Sequence, residues 1–324
     1  MKYLLLTTSP FQTVNALIFA FKASTSSFTW FIVINFYSDS ELEQIKFLSS
    51  LFNIKLVEIN NKTWFGDYRN IASHNINDFD YLIICPNNHW SAFHAAFLPI
   101  NKVAIVDDGA HSLSNFTIGQ GKSFWKKILL RSSYSLFQLL ISKKESVDRL
   151  SLFPVNTTFN LIKTDYKRLS SWLEKVELDY SFQNNTAIFI GTPISEVGVI
   201  ALETEIKTIK FSVKYFQKMN KQYIYVAHSK DSVQKCRQLD DLGIKVLRLG
   251  GPIELYLSKI LNLSDISICS ISSTVLFTAG NMGFDLDKII SFRVNESFFL
   301  KDYSEKYQKI FDKLQSLHYQ VIES

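Results

Sequence analysis

Short apolar segments of strand length alternate with helix-length segments along almost the whole chain of 324 residues. The apolar segments are near-continuous runs of aliphatic and aromatic residues rather than strict alternations of apolar and polar positions. Such runs are typical of parallel strands that are covered by helices on both faces. The alternation therefore predicts an α/β fold built on doubly wound, mostly parallel sheets.

The predicted strands fall into two groups on either side of a long basic helical stretch. They cover residues 2–8, 29–37, 54–59, 80–85 and 102–108, then 185–191, 222–228, 244–249, 265–270 and 288–292. The segment 151–159 carries a proline and several turn-forming residues, which is typical of a linker. We therefore expect two Rossmann-like domains facing a central cleft, residues 1–155 and 156–324. The last helix, at about 298–316, is a candidate to pack back on the first domain.

Composition limits the classes of function. The chain is 47% hydrophobic and 20% charged, so it can bury a large core, and disorder and coiled coil are excluded. The net charge of +5 is too small at this length to indicate a nucleic-acid partner. It is compatible with an anionic ligand or an anionic membrane surface.

The cysteines and the apolar stretches bear on the compartment. Cys85, Cys236 and Cys269 are an odd number without CxxC spacing, and two of them end apolar strands. Buried, reduced thiols in a reducing compartment are expected, and neither a zinc site nor a disulfide framework is supported. The apolar N-terminus is interrupted by polar residues, and the most apolar stretch, 28–37, is too short to span a bilayer. We expect a cytoplasmic protein, at most peripheral on the inner membrane.

Residues 122–145 form the basic helical stretch. Its cations lie among Phe, Trp, Leu and Ile: Lys122, Lys126, Lys127, Arg131, Lys143 and Lys144. A basic amphipathic helix can lie on an anionic bilayer surface near a lipid-linked acceptor. An ordinary solvated helix whose apolar stripe joins the core is the alternative.

Ligands of open α/β sheets bind beyond the carboxyl ends of the strands, so the residues that follow each strand are the candidates. Ser9 follows the first strand and precedes Pro10, an arrangement that also caps a helix. Asp107, Asp108 and Gly109 follow the fifth strand. Paired carboxylates raise one another's pKa, so that one can act as a general base, although Asp-Gly is also ordinary turn chemistry.

Polar residues also follow strands in the second half. His228, with Ser229 and Lys230 after it, ends a strand and is placed to exchange protons near neutral pH. A surface histidine is the alternative. Glu254 begins a helix, where it can hold ribose hydroxyls or simply favour the helix dipole.

A hydroxyl-rich segment leads from the strand 265–270 into a helix. It contains Ser270, Ser272, Ser273 and Thr274. Hydroxyls and backbone N–H groups at a helix N-terminus form an anion site without a metal. One serine suffices for an N-cap, and this segment carries more hydroxyls than a cap needs.

Taken together, these stretches resemble the bacterial sialyltransferases of the GT-B type. That group carries an acidic-acidic-glycine motif, a histidine-proline motif and a paired serine motif, which here correspond to Asp107-Asp108-Gly109, His228-Ser229 and Ser272-Ser273. Glu254 and Ser272 follow His228 by 26 and 44 positions, as in the family's pattern. The segments 8–17 and 188–198 look most like the lipooligosaccharide sialyltransferase family, family 52.

The resemblance implies an inverting transfer of sialic acid from CMP-sialic acid to a hydroxyl of a bacterial surface glycan, lipooligosaccharide or capsule. Asp107 or Asp108 would be the base and His228 the acid toward the leaving CMP phosphate. The residues implied in donor binding are Ser9, Gly191, Thr192, Ser229, Lys230, Glu254, Ser270, Ser272 and Ser273. Ser229 departs from the family, which has proline at that position.

The resemblance also implies that no metal or other cofactor is required, because the leaving group carries one phosphate. D-x-D pairs at residues 78–80 and 285–287 are the metal-dependent alternative. Other readings keep the fold but change the donor to another CMP-activated nonulosonic acid, the chemistry to sugar-nucleotide epimerisation, or the role to non-catalytic binding. A homodimer is an oligomeric state that the sequence leaves open.

Overall fold

The computed structural model describes residues 1–23, 29–34, 38–59, 64–85, 89–107, 124–151, 160–174, 176–300 and 303–324. Two compact units divide the chain, Met1–Thr164 and Asp165–Ser324. The division lies C-terminal to the expected boundary at residue 155, because Asn160–Lys163 forms the last strand of the first sheet.

In its described residues, the first unit is a sheet of seven parallel strands with flanking helices. The strands are β1 (Lys2–Thr7), β2 (Thr29–Ile34), β3 (Lys55–Glu58), β4 (Tyr81–Ile84), β5 (Lys102–Val106), β6 (Ser146–Ser151) and β7 (Asn160–Lys163). The helices are α1 (Pro10–Ala23), α2 (Asp39–Leu51), α3 (Trp64–Ala72), α4 (His89–Phe97) and α5 (Phe124–Ser142). The strand order is β3-β2-β1-β4-β5-β6-β7.

The second unit repeats the plan with six parallel strands in the order β10-β9-β8-β11-β12-β13. They are β8 (Thr186–Ile190), β9 (Gln222–Val226), β10 (Lys245–Leu247), β11 (Ile266–Ser270), β12 (Ile289–Arg293) and β13 (Gln320–Glu323). The helices are α6 (Lys167–Leu173), α7 (Leu202–Gln217), α8 (Val233–Asp241), α9 (Ile253–Lys259), α10 (Val275–Met282) and α11 (Ser304–Ser316).

The predicted α/β class and parallel sheets are confirmed, and each predicted strand is present. Three strands were not predicted: β6, β7 and β13. β6 carries Asp148 and Arg149, and β7 and β13 are short strands at sheet edges, so none shows a continuous apolar run. The last helix, α11, belongs to the second unit and packs on β12 and β13.

Each sheet has a point at which the strand order reverses, between β1 and β4 in the first and between β8 and β11 in the second. Helices that start from two such neighbouring strands cover opposite faces of the sheet, so a crevice opens between their first turns. Predicted site residues follow β1, β8 and β11. The fold therefore places them where ligands of this class of sheet bind.

The buried faces are apolar, as the sequence predicts. β8 and β11 are buried along their whole length, and Cys85 and Cys269 lie in the cores as free thiols. Among the described residues, no helix combines the length and the apolar character needed to cross a bilayer.

Candidate functional site

The carboxyl ends of β8 and β11 form the centre of the candidate site in the second unit. The two strands are parallel neighbours, with Phe189 opposite Cys269, so the segments that follow them emerge side by side. Gly191 and Thr192 follow β8, and Ser272 follows β11 after one intervening residue, Ile271. The structure thus brings together two stretches that are about 80 positions apart in the sequence.

The serines after β11 have different roles. Ser270 is fully buried, and its hydroxyl donates to the carbonyl of Ile190 at 2.7 Å, which ties β11 to β8. Ser273 Oγ accepts from the backbone N of Val275, the first residue of α10, at 3.2 Å. We therefore keep Ser273 at the helix N-terminus as a site residue and assign Ser270 to the sheet.

Ser272 meets a residue that the sequence did not single out. Its hydroxyl is hydrogen-bonded to the phenol of Tyr307 on α11, and burial raises the pKa of that phenol to about 12. Thr192 is 8% exposed, and among the described residues its Oγ1 has no hydrogen-bond partner. A buried hydroxyl without a partner is costly, so this one is suited to a bound ligand.

His228 begins a tight turn after β9. Its carbonyl accepts from the backbone N of Asp231 at 3.0 Å, which places Ser229 and Lys230 at the two central positions of the turn. The backbone N of Lys230 donates to His228 Nδ1 at 3.1 Å. Because Nδ1 is an acceptor there, the neutral imidazole carries its proton on Nε2.

A buried ionic cluster lies behind this turn. The side chain of Lys235 is fully buried, and its ammonium donates to Asp231 Oδ1 at 2.8 Å and to the carbonyl of Thr192 at 2.9 Å. The same ammonium pairs with Glu205 and, at 3.5 Å, with Glu196. Burial alone would lower the pKa of Lys235, but the carboxylates of Glu205 and Asp231 hold that pKa above its ordinary value.

Asp231 links this cluster to the candidate catalytic residue. Its Oδ2 accepts from the backbone N of His228 and from the hydroxyl of Tyr225, each at 2.8 Å. A Cβ atom added to Gly191 would lie 2.6 Å from both Asp231 Oδ2 and Tyr225 Oη. Gly191 is therefore required by this close approach, which is a packing reason beside its predicted role at the ligand.

Glu254 lies in the first turn of α9 and is 4% exposed. Burial raises the pKa of its carboxyl to about 7. The preceding loop is anchored by Asp179, which accepts from the backbone N of Gly250 at 3.1 Å and from the hydroxyl of Tyr256. At neutral pH this carboxyl is therefore close to the midpoint of its titration. Its contact with a ribose remains a prediction.

In the first unit, Asp107 directly follows β5 and is 2% exposed. Its Oδ2 accepts from the hydroxyl of Ser151 at 2.7 Å, and its carbonyl accepts from Asn15 Nδ2 at 3.1 Å. Ser9 caps α1, since its Oγ accepts from the backbone N of Gln12 at 3.3 Å. Asp108 and Gly109 lie outside the described residues.

The D-x-D pairs precede strands, so they lie at the amino ends of the strands and not at the carboxyl ends. Asp80 precedes β4 and accepts from the backbone N of Lys2 at 2.8 Å, while Asp78 pairs with the Lys2 ammonium at 3.4 Å. Asp285 accepts from the backbone N of Asp287 in the turn that precedes β12. The carboxylates of Asp78, Asp80 and Asp285 are thus engaged near the amino ends of strands, away from the carboxyl ends where ligands bind.

The comparisons with known proteins concern the fold. No protein-family model matches the chain, and no curated protein matches it in sequence. The solved GT-B domain of a sialyltransferase from Photobacterium damselae aligns over 100% of both chains, with a TM-score of 0.53 and 12% identity. The chain has the GT-B fold.

Other structures with this fold align to a similar extent. The UDP-GlcNAc 2-epimerase of Neisseria meningitidis, bound to UDP-GlcNAc, aligns over 98% of this chain and 91% of its own, with a TM-score of 0.52 and 15% identity. Arabidopsis thaliana UGT89C1, complexed with UDP-L-rhamnose, aligns over 99% and 85%, with a TM-score of 0.52 and 12% identity. At these identities the likeness establishes the GT-B fold alone.

Proposed function

We propose that the protein is an inverting, metal-independent sialyltransferase. It would transfer sialic acid from CMP-sialic acid to a hydroxyl, such as that of a galactoside, on a bacterial lipooligosaccharide or capsule. The observation that carries the proposal is the set of polar groups at the switch point of the second sheet. Thr192, whose hydroxyl has no hydrogen-bond partner among the described residues, follows β8, and Ser273 at the start of α10 follows β11. His228, with its proton on Nε2, follows the neighbouring strand β9.

These groups fit the phosphate of a CMP leaving group. A helix N-terminus and hydroxyls stabilise an anion through N–H and O–H donors. His228 Nε2 supplies a proton or a charge-assisted hydrogen bond to the departing phosphate. A monophosphate has no second phosphate for a divalent ion to bridge, so the chain's own donors suffice.

The acceptor hydroxyl requires a general base. A carboxylate takes the proton of the acceptor hydroxyl. At the same time, the oxygen of that hydroxyl attacks the anomeric carbon from the face opposite CMP. The new carbon–oxygen bond forms while the bond to the phosphate breaks, so the configuration inverts. Because Asp107 is buried against Ser151, we assign the base to Asp108 and a positioning role to Asp107.

We propose that the face of α5 that carries Leu136 and Leu139 binds peripherally to an anionic membrane. Leu136 and Leu139 are 51% and 54% exposed, while Phe137 and Ile141 on the opposite face are buried. The apolar stripe therefore does not lie wholly in the core. The sequence of α5 contains Lys126, Lys127 and Arg131 and no Asp or Glu, which complements an anionic lipid surface.

Vesicle sedimentation tests this partner. The protein should pellet with vesicles containing anionic phosphatidylglycerol and not with pure phosphatidylcholine, and Leu136→Ser/Leu139→Ser should reduce pelleting. Val233→Ser on α8, where Val233 is 62% exposed, is the control. Equal pelleting of the double variant rejects the membrane face. If light scattering shows that the double variant has a lower mass in solution than wild type, the face binds a second copy of the chain instead.

Incubation with CMP-sialic acid and lactose, followed by assay of released CMP and sialyllactose, tests the activity. We expect turnover in excess EDTA, because no step requires a divalent ion. Loss in EDTA that Mg²⁺ or Mn²⁺ restores would reject the metal-independent mechanism.

The same assay separates the other functions. Turnover only with CMP-activated pseudaminic, legionaminic or Kdo-type sugars would identify a different donor. Interconversion of UDP-GlcNAc would identify an epimerase, and CMP binding without release from any donor would identify a non-catalytic binder.

A further inference from the structure

The buried cation Lys235 is energetically unusual. Its side chain is wholly inaccessible to solvent, as is that of Asp231, and Glu205 is 1% exposed. Burying a charge costs free energy even when it is paired, and well-packed apolar residues often stabilise a core as well or better. We therefore expect the cluster to have a specific role in holding the residues that it contacts.

The cluster joins the segments that surround the proposed donor site. Through Lys235 it binds the carbonyl of Thr192 after β8 and the carboxylate of Asp231 after β9. The two oxygens of Asp231 face different groups. Oδ1 accepts from Lys235, and Oδ2 accepts from the backbone N of His228.

We propose that Asp231, held in place by Lys235, is a positioning residue for His228. Its hydrogen bond to the backbone N of His228 sets the start of the turn, and the turn brings the backbone N of Lys230 to Nδ1. Nδ1 then serves as an acceptor, and the proton stays on Nε2. The inference rests on the proposed function for the identity of the group that receives this proton.

A matched pair of carboxylates makes the proposal testable. Asp231 and Glu205 both pair with the same ammonium, and both are buried. Of these two carboxylates, Asp231 is the one that is hydrogen-bonded to His228. Asp231→Asn and Glu205→Gln each remove one charge from the cluster, so a merely structural role predicts similar effects of the two changes.

The tautomer of His228 can be measured on the full-length protein by long-range ¹H–¹⁵N NMR after labelling with ¹⁵N-histidine, with His228→Asn for assignment. Wild type and Glu205→Gln should show the Nε2–H form. Asp231→Asn should show a mixture with the Nδ1–H form. Its kcat for CMP release should fall about 10–100-fold while KM changes much less, as expected when a reacting group is misplaced.

Lys235→Gln is the second variant, because it keeps the acceptor of the His228 N–H but removes the ammonium that orients it. It should shift the tautomer in the same direction as Asp231→Asn. Thermal unfolding identifies which variants are folded at the temperature of measurement. If Asp231→Asn and Lys235→Gln both fold and match Glu205→Gln in tautomer and kcat, the proposal is wrong.

The assay of sugar transfer and the tautomer measurement distinguish failure of the proposed function from failure of the positioning role. If wild type transfers no sugar from any CMP donor but the tautomer responds to Asp231→Asn as expected, the positioning role stands and the transferase assignment falls. If wild type is active and lacks the Nε2–H form, the positioning role falls.

Discussion

The hydroxyl of Ser151 donates a 2.7 Å hydrogen bond to Oδ2 of Asp107. Asp107 directly follows β5, and Ser151 is the last residue of the neighbouring strand β6. The carboxylate is 2% exposed, so a substrate hydroxyl has little access to it. The first of the two adjacent aspartates is thus held at the carboxyl end of β5, which supports our proposal that the second is the base.

We predict that the two aspartates respond differently to substitution. Asp108→Asn should lower turnover about 10²–10⁴-fold with little change in stability, as expected for loss of a general base. Asp107→Asn should act mainly on stability, by about 1–3 kcal/mol, because a buried charged hydrogen bond is weakened. CMP release and thermal unfolding measure the two effects. The opposite pattern would assign the base to Asp107.

The turn at His228 predicts the effect of a proline at the next position. Ser229 occupies the first central position of a turn closed by the 3.0 Å hydrogen bond from Asp231 N to His228 O, and proline is favoured there. Ser229→Pro should be tolerated or stabilise the fold by about 0.4–1 kcal/mol.

His228→Ala should lower kcat far more than it changes the donor's KM.

Chemical denaturation and initial-rate kinetics of the two variants test this prediction. An unfolded Ser229→Pro variant would show that the turn cannot accommodate the family's proline. A fully active His228→Ala variant would remove the histidine from the mechanism.

Glu254 predicts a pH dependence of stability. Because burial raises its pKa from 4.5 to about 7, the folded state binds the proton more tightly than the unfolded state. Stability from this group is therefore present below the unfolded pKa and is lost as pH rises through about 7. The loss should amount to about 2–3 kcal/mol.

Glu254→Gln keeps the shape but cannot ionise. Its stability relative to wild type should rise between pH 5 and pH 8, as measured by denaturant unfolding at each pH. If ribose hydroxyls donate to the carboxylate, the same variant should also weaken CMP binding. A constant difference in stability across this range would contradict the titration of Glu254.

We predict that substitutions at Gly191 and Tyr225 are energetically coupled, which a double-mutant cycle can measure. Substitution of Gly191 by alanine places a Cβ atom 2.6 Å from Tyr225 Oη and from Asp231 Oδ2, so the neighbours must move. We expect Gly191→Ala to cost about 1–3 kcal/mol. Tyr225→Phe removes one of the two clashing atoms, so the double variant should lose less stability than the sum of the single changes. Strict additivity would show that Tyr225 is not the obstacle.

The sequence predicted most of the strands of both sheets and the strand ends that the candidate site residues follow. Runs such as 186–190 and 266–270 are apolar throughout, and they form the central strands β8 and β11. Edge strands such as β13 have too few apolar residues to be distinguished from loops. Ser270 was predicted as a ligand group because its hydroxyl follows a strand, but its bond to Ile190 is visible only once β8 and β11 are paired.

By itself, the sequence determined the α/β class, the two-unit organisation and the strand ends at which Asp107, His228 and Ser272 lie. These features are local, because they follow from apolar periodicity and from the residue types next to each strand. Only the tertiary structure decided that Lys235 is buried and that Gly191 abuts Asp231 and Tyr225. Such contacts join residues from separate strands and helices, and their existence depends on how β8, β9, α7 and α8 pack together. A lysine or a glycine in isolation carries no signal of that packing.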